Sequence, residues 1–454
     1  MTEHKGFTSN FGAIMAAVGS AVGLGNIWRF PYICGQYGGG AFLVVYLCFV
    51  FLIGMALMMT EFVIGRRSQH SPVKAFSTLR PDKPGWRFVG LFGIITCFLI
   101  LSLYLVISGW TLNYVGDTAT GALANMDGTM LDQHFSHFSS SAIRPVICLA
   151  IFTIMTAAVI LGGVQKGIEK VSKILMPILV LLLVVMCVRS LTLPGSMGGV
   201  EYLFKPDFSK LGAAGVLAAL GQALFSLSVG MGVMVVYGSY IPKDDNLMRT
   251  SLWITVCDTL IALMSGLAIF PAVFSCGLEP AGGPGLVFKV LPMVFNSMNP
   301  VTGFPTGTVF AVIFFVLLVT AALTSAISLF EAITAWATES LHIRRTPATL
   351  VIALCVIAIA AFCSLSLGPL NHIHIAGMPL FDLVDRLTAA YLPPICALLT
   401  VLFFGWVMPG ADIHDELSNH GTLKTGYYPV LRFLTRYIAP IALLLVLITG
   451  IFGN

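Results

Sequence analysis

A short glycine motif occurs twice in the chain, each time inside an apolar segment long enough to cross a membrane. The first copy is Val22-Gly23-Leu24-Gly25 and the second is Val229-Gly230-Met231-Gly232. Because glycine in a helix interior costs about 1 kcal/mol relative to alanine, both places predict unwound backbone. Free N–H groups at the start of a half-helix suit a carboxylate, and unwound carbonyls suit a cation. The repeated motif therefore predicts the binding site of a transporter.

Ionisable residues inside membrane-spanning segments are the second chemical signal, because each costs roughly 2.5–3.5 kcal/mol to insert. Asp258 lies deepest, among apolar residues, and a bound cation would keep its carboxylate ionised. A carboxylic acid that only packs between helices is the alternative reading. The adjacent hydroxyls of Thr324 and Ser325 would add oxygen ligands for sodium, although such residues also pack between membrane helices. The intramembrane ionisable residues are Arg29, Glu61, Asp258, Glu331, Asp382, Asp385 and Arg386.

The composition places the chain in a membrane. It is 57% hydrophobic and 10% charged, with a mean hydropathy of +0.93, whereas soluble domains carry about 25% charged residues. Apolar stretches long enough to cross about 30 Å of hydrocarbon predict eleven spans, numbered here in chain order. They lie near 11–36, 41–65, 89–116, 143–162, 168–190, 213–241, 250–277, 305–340, 347–366, 378–407 and 432–453.

The distribution of Lys and Arg predicts the orientation of these spans. With the N-terminus inside, the cytoplasmic loops receive most of the basic residues. The outside receives only Arg144, Arg189, Lys205, Lys210 and Lys289. We therefore expect a cytoplasmic N-terminus and an external C-terminus, and the formal net charge of +4 reflects topology rather than nucleic-acid binding.

The two glycine motifs fall in spans 1 and 6, which indicates an internal repeat. Spans 1–5 (residues 11–190) would form one repeat and spans 6–10 (residues 213–407) the other. Span 11 (residues 432–453) would be peripheral in a single transporter domain, 1–454. An odd number of spans per repeat forces the two repeats into opposite orientations, with the site between them near the midplane. In span 10, Pro393-Pro394 predicts an interruption, because proline removes a helix hydrogen bond.

Several motifs together resemble the neurotransmitter:sodium symporter family, in particular its bacterial eleven-span amino-acid branch. The resemblance covers nearly the whole chain. It rests on Gly23–Tyr32 followed by Gly38–Phe42, Glu61-x-x-x-Gly65-Arg66, Ser108–Leu112, Gly221–Ser228 and Gly283–Leu286. It implies an all-α membrane protein of eleven transmembrane helices, with a LeuT-type 5+5 inverted repeat and discontinuous first and sixth helices. It also implies sodium-coupled symport by alternating access in the plasma membrane of a bacterium.

The resemblance further implies two sodium sites and an amino-acid site. Sodium 1 would use the carbonyl of Ala21 with the side chains of Asn26, Ser226 and Asp258. Sodium 2 would use the carbonyls of Gly19, Val22 and Ala321 with the hydroxyls of Thr324 and Ser325. The substrate carboxylate would meet the amides of Leu24 and Gly25 and the hydroxyl of Tyr104, next to Ser226. The side-chain pocket would be lined by Ser20, Ile100, Phe225, Ser228, Met231 and Leu329.

The same resemblance implies gates and a substrate class. Arg29 and Asp385 match an outer gate, with Tyr104 and Phe225 as an aromatic lid. The usual N-terminal Arg-x-x-Trp latch is missing, and Lys5 would instead pair with Glu339. Amine transporters of the family carry a carboxylate at the position of Gly23. Glycine there implies an α-amino acid, hydrophobic or aromatic, with leucine-like and tryptophan-like substrates not separable.

Ion dependence and rival functions complete the expectations. Chloride would bind in eukaryotic members at positions matching Tyr46, Gln222, Ser226, Asp258 and Ala262. Because Asp258 brings a fixed negative charge there, we expect transport without chloride, and Asp258 would exchange its cation for a proton on return. The sequence has no HExxH and no Gly-x-Ser-x-Gly, so an intramembrane enzyme is disfavoured. No cofactor beyond sodium is expected. A substrate-sensing receptor on a transporter fold stays open as the alternative.

Overall fold

The computed structural model describes residues 6–278, 286–298 and 305–452. Within these ranges, nine helices are long and apolar enough to cross a membrane. They correspond to the predicted spans 2–5 and 7–11. Their bounds are Gly40–Ser68, Pro84–Ala119, Arg144–Leu161, Val164–Leu191, Leu247–Ser275, Thr306–Ser340, Arg345–Leu365, Leu380–Val407 and Tyr428–Gly450.

Span 1 is broken where the first glycine motif predicts. It consists of the helices Asn10–Ala21 and Gly25–Gln36, which meet at an angle of 45°. The first helix ends because Val22 adopts an extended conformation, with φ −77° and ψ 104°. The second begins with a π-helical turn at Gly25–Arg29. The predicted break is confirmed.

Span 6 is broken at the second motif. The helices Gly212–Ser226 and Val233–Tyr240 are separated by residues 227–232. Three residues in this stretch have positive φ: Ser228 at 52°, Gly230 at 78° and Gly232 at 80°. The two glycines adopt this conformation without the cost that a Cβ adds. Neither half of span 6 is long enough to cross a membrane alone. A total of eleven spans is reached only when the two halves are counted as one span, and this total stays a prediction.

Short elements connect the spans. A short hairpin is formed by two antiparallel strands of two residues each, His374–Ile375 and Met378–Pro379. The connecting helices are Pro72–Leu79, Gly128–Ser139, Met197–Phe204, Phe208–Lys210, Leu286–Val290, Leu291–Ser297 and Gly410–Leu417. The family motif at Gly283–Leu286 lies largely outside the described residues.

The expected interruption of span 10 at Pro393-Pro394 is wrong. Helix continues from Leu380 to Val407, and the two prolines occupy the first turn of its α-helical segment Leu392–Leu402. A π-helical turn at Leu387–Tyr391 precedes them. Such a turn shifts the hydrogen-bond register, and proline is tolerated in the first turn of a helix, where its missing N–H matters least.

Glycine lets the backbone of span 2 touch the second half of span 6. A Cβ at Gly65 would overlap the carbonyl oxygen of Val235, and a Cβ at Gly238 would lie 2.8 Å from the carbonyl oxygen of Phe62. Small residues allow this close approach between membrane helices. The second half of span 6, which follows the unwound stretch, therefore packs directly against the backbone of span 2.

We expect Gly65→Ala to lower the melting temperature of the purified protein, because the overlapping atom belongs to a backbone and cannot rotate away. The cost should be about 1–3 kcal/mol, as for other overpacked sites. Gly116→Ala is the matched control, since a Cβ at this exposed helix position meets open space. Equal melting temperatures for the two variants would contradict the importance of this close contact between span 2 and the second half of span 6.

Candidate substrate and ion site

A cavity lies between the two broken helices. The space between atoms there measures about 340 Å³, counted up to its open sides. All six residues predicted for the side-chain pocket line it, together with Ala21, Gly23, Gly25, Tyr104 and Ser325. Spans 1, 3, 6 and 8 each contribute to the wall. The structure therefore brings together residues that are up to 309 positions apart in the sequence, from Ser20 to Leu329.

One end of this cavity is polar and made largely of backbone. The N–H of Leu24 donates to the hydroxyl of Tyr104 at 3.1 Å. A Cβ at Gly23 would overlap the hydroxyl of Ser325 and lie 2.8 Å from that of Tyr104. Gly25 starts the second helix of span 1, where N–H groups and the positive end of the helix dipole favour an anion. This end has the chemistry to hold a carboxylate.

A second cavity, enclosing about 450 Å³, lies beside the first and contains both predicted outer-gate residues, Arg29 and Asp385. Ile100, Tyr104 and Phe225 line both cavities, so they form the partition between them. The guanidinium of Arg29 lies 4.6 Å from the centre of the Phe225 ring. In the described part of the chain, Arg29 makes no ion pair within 4 Å. The Arg29 guanidinium thus contacts the ring of Phe225 and does not form the predicted ion pair with Asp385.

Three of the residues predicted for sodium 1 form one buried network. The side-chain amide of Asn26 lies 2.8 Å from a carboxylate oxygen of Asp258 and 3.1 Å from the hydroxyl of Ser226. The Ser226 hydroxyl donates to the other carboxylate oxygen at 2.6 Å. All three side chains are completely buried. Ala21, the fourth predicted ligand, ends the first helix of span 1 and lines the adjacent cavity.

The residues predicted for sodium 2 form a separate cluster of neutral oxygens. The Thr324 hydroxyl lies 3.3 Å from the carbonyl oxygen of Val22 and 3.0 Å from that of Ala321. The Ser325 hydroxyl lies 3.4 Å from the Val22 carbonyl and 3.0 Å from the Ser20 carbonyl. Gly19 packs against the side chain of Thr324. Oxygens from the end of a half-helix and from span 8 converge here, which is the donor set that hard cations prefer.

Glu61 has a position that sequence reasoning left without a role. Its carboxylate accepts the N–H of Gly230 at 2.6 Å, and the side chain is 1% exposed. The unwound stretch of span 6 is therefore held by a carboxylate from span 2. Cys97 of span 3 adds a contact to the next residue, because its Sγ lies 3.0 Å from the carbonyl oxygen of Met231. The cost of an ionisable residue inside a span and the family motif Glu61-x-x-x-Gly65-Arg66 indicate that Glu61 matters, but neither indicates its partner.

The N-terminal segment packs against spans 5 and 6. The N–H groups of Phe7 and Thr8 donate to the Tyr240 carbonyl and to the Glu169 carboxylate, at 3.1 and 2.8 Å. Lys173 also pairs with Glu169, at 2.6 Å. Sequence reasoning missed Glu169, because nothing in the local pattern around it indicates its partner. Its carboxylate accepts hydrogen bonds from Thr8.

The predicted inner gate falls partly outside the described residues, since these exclude Lys5. Its predicted partner Glu339 accepts the N–H of Ser71 at 2.7 Å, and the Nδ1 atom of His70 lies 3.8 Å from the same carboxylate. Glu331 forms a further contact at this end, with Arg345 at 2.5 Å. The pairing of Lys5 with Glu339 stays a prediction.

Two broken helices around a cavity, with oxygen clusters beside it, define a secondary transporter of the broken-helix class. The chain matches the sodium:neurotransmitter symporter family over residues 4–131 and 131–453, and it belongs to this family. It is 39% identical over 448 residues to an uncharacterized sodium-dependent transporter of Bacillus subtilis (strain 168), YhdH, which covers 98% of both chains. An uncharacterized sodium-dependent transporter of Haemophilus influenzae is 32% identical over 461 residues, covering 99% of both.

A solved structure overlaps with almost the entire chain. The crystal structure of MhsT in complex with L-phenylalanine matches it with a TM-score of 0.89 and 40% sequence identity, over 98% of this chain and 99% of the other. The predicted LeuT-type, all-α fold is thereby confirmed. The chain is a multi-pass membrane protein of a sodium-dependent transporter family.

Replacing Glu61 by alanine should loosen the unwound stretch 227–232. The N–H of Gly230 would lose its acceptor, and a lost buried hydrogen bond of this kind costs about 1–3 kcal/mol. Hydrogen–deuterium exchange of a peptide that covers this stretch should become about tenfold faster or more. Glu61→Gln keeps an oxygen at the same place and should exchange nearly as slowly as the parent protein. Fast exchange in both variants would refute the role of this acceptor.

Proposed function

We propose that this chain is a sodium-coupled symporter of hydrophobic or aromatic L-amino acids, works by alternating access, and needs no chloride. The main support for the proposal is the cavity between the two broken helices, which combines an apolar wall with a polar end lined by backbone. A zwitterionic amino acid with an apolar side chain matches both parts. The plasma membrane of a bacterium, with the N-terminus in the cytoplasm, is the proposed location.

The substrate class follows from the lining of the cavity. Ile100, Phe225, Met231 and Leu329 supply apolar surface, and the flexible Met231 adapts to side chains of different shape. Gly23 brings no protein carboxylate near Tyr104 and leaves room for the substrate's own carboxylate. The L-phenylalanine in the MhsT crystal structure supports this class at 40% sequence identity.

Two sodium ions fit the two oxygen clusters. The cluster around Asp258 contains a carboxylate, and the cluster around Thr324 contains carbonyl and hydroxyl oxygens. Each sodium ion that moves inward through 100 mV releases about 2.3 kcal/mol. Because the clusters touch both halves of span 1 and the residues around its break, sodium binding would organise the backbone that faces the substrate. This link provides the coupling.

Independence of chloride follows from the charge of Asp258. The Tyr46 hydroxyl lies 3.2 Å from the Ser226 hydroxyl, and the latter donates to the Asp258 carboxylate. Gln222 directs its amide to the Gly25 carbonyl at 2.8 Å. Hydroxyl groups that would face an anion thus face a protein carboxylate, and a second negative charge beside it would be repelled. Exchange of a proton at Asp258 on the return step would couple outward proton movement to transport.

The first experiment is uptake of radiolabelled tryptophan and leucine by proteoliposomes. We expect saturable accumulation with an inward sodium gradient, no accumulation with potassium, and unchanged uptake when gluconate replaces chloride. A severe loss in gluconate would overturn the chloride part alone. Sodium-dependent binding without accumulation would overturn symport and favour the receptor alternative, since a receptor would use the same site without net flux.

Thr324→Ala should raise the sodium concentration for half-maximal substrate binding about tenfold, because a charged ligand would lose one oxygen. Thr320→Ala is the matched control, one helical turn away. Among the described residues, the Thr320 hydroxyl bonds only to the Val316 carbonyl of its own helix. We therefore expect a normal sodium requirement for this variant. The measurement is scintillation proximity binding at graded sodium concentrations, and equal shifts in both variants would argue against the second sodium site.

A further inference from the structure

A groove opens on the outer surface of the helix bundle where span 3 begins. The space between atoms there measures about 1050 Å³, counted up to its open side, and lies between the first turns of span 3 and the middle of span 10. Its wall is apolar, formed chiefly by Trp86, Phe88, Phe92, Ile395 and Leu399. Phe88 is 58% exposed. The groove therefore faces the lipid rather than the interior of the protein.

The rim of this groove carries positive charge. Lys83 lines the opening, and the guanidinium of Arg87 lies 5.1 Å from the centre of the Phe88 ring. Across the described ranges, neither residue makes an ion pair within 4 Å, whereas the neighbouring Arg80 and Asp82 pair with each other. The rim thus has two basic side chains whose charges no carboxylate in contact neutralises.

The groove crosses the level at which the membrane surface is expected. The membrane-spanning helix begins at Pro84, so Lys83 lies at the boundary while Phe92 lies two turns deeper. Trp86 packs against Phe403 of span 10, with ring centres 5.4 Å apart, and tryptophan favours the membrane–water interface. The distribution of Lys and Arg predicts that this boundary is the cytoplasmic one.

We propose that this groove binds an anionic glycerophospholipid of the inner leaflet. One acyl chain would lie along Phe88, Phe92, Ile395 and Leu399, and the phosphate-containing headgroup would lie between Lys83 and Arg87. Charge selects the class of lipid. Basic pockets between helices on the cytoplasmic side bind anionic headgroups, and a zwitterionic headgroup would bring no net charge to the rim.

The two helices that form the groove also hold the unwound stretch of span 6. A Cβ at Gly93 of span 3 would lie 3.3 Å from the Met231 carbonyl oxygen, and a Cβ at Gly230 would lie 2.6 Å from the Pro393 carbonyl oxygen of span 10. In the groove, Phe92 directly precedes Gly93, and Ile395 lies two residues after Pro393. A lipid chain wedged between spans 3 and 10 would therefore support the packing behind the substrate cavity.

The test uses Trp86 as a reporter in reconstituted, full-length protein. Lipids with brominated acyl chains quench the fluorescence of tryptophan that they touch, and vesicles are prepared with brominated phosphatidylglycerol or brominated phosphatidylcholine in a background of unbrominated phosphatidylcholine. We expect stronger quenching by the phosphatidylglycerol. Trp86→Phe should abolish this difference, which identifies the groove among the six tryptophans.

Two substitutions then separate the rim from the general charge of the protein. Lys83→Gln should lower the apparent preference for phosphatidylglycerol about fivefold, the factor that one basic residue contributes near an anionic surface. Lys205→Gln, at an exposed position predicted to be external, should leave it unchanged. Equal quenching by both lipids would overturn the proposal, and so would a preference that survives Trp86→Phe or that is unchanged in Lys83→Gln. An unchanged melting temperature of each variant shows that the fold is retained.

Discussion

Every polar backbone group inside a membrane needs a partner, and the two helix breaks make this requirement the central constraint of the structure. Side chains from other spans meet it. The Tyr104 hydroxyl accepts from the N–H of Leu24, the Glu61 carboxylate accepts from that of Gly230, and the Gln222 amide donates to the Gly25 carbonyl. The Ser20 carbonyl receives the hydroxyls of Ser228 and Ser325. The groups that make the breaks tolerable are thus the groups that surround the cavity.

This arrangement joins the helices into two sets. Span 2 packs closely on the second half of span 6, and Glu61 extends the same contact to the unwound stretch. Span 3 packs extensively along span 8, and both face the cavity from the other side through Tyr104 and Ser325. Hydrogen bonds around the breaks are among the contacts that connect the two sets. Relative movement of the two sets is the motion that alternating access requires, and these few polar contacts are where it would be controlled.

The sequence predicted the breaks but only part of what stabilises them. Paired glycines indicate unwound backbone by local conformational preference, so both positions were correct. The pocket residues came from family resemblance, because Ile100 or Leu329 in an apolar helix is indistinguishable from ordinary packing. The partners of Glu61 and Glu169 depend on which helices meet, and no local pattern contains that information. The interruption predicted at Pro393-Pro394 was wrong because a π-helical turn precedes the two prolines, and the sequence alone does not reveal that turn. The inverted repeat stays a prediction.

The position of Asp258 has a consequence for how the membrane potential would act on the proposed cycle. With two sodium ions bound and a zwitterionic substrate, the fixed carboxylate leaves one net positive charge to move inward. Without them, the same carboxylate leaves one negative charge to move back outward. A potential that is negative inside favours both steps, each by about 2.3 kcal/mol per 100 mV if the charge crosses the whole field. Protonation of Asp258 on return would make that step electrically neutral. The membrane potential would then no longer drive the return step, and the step would instead be coupled to the proton gradient.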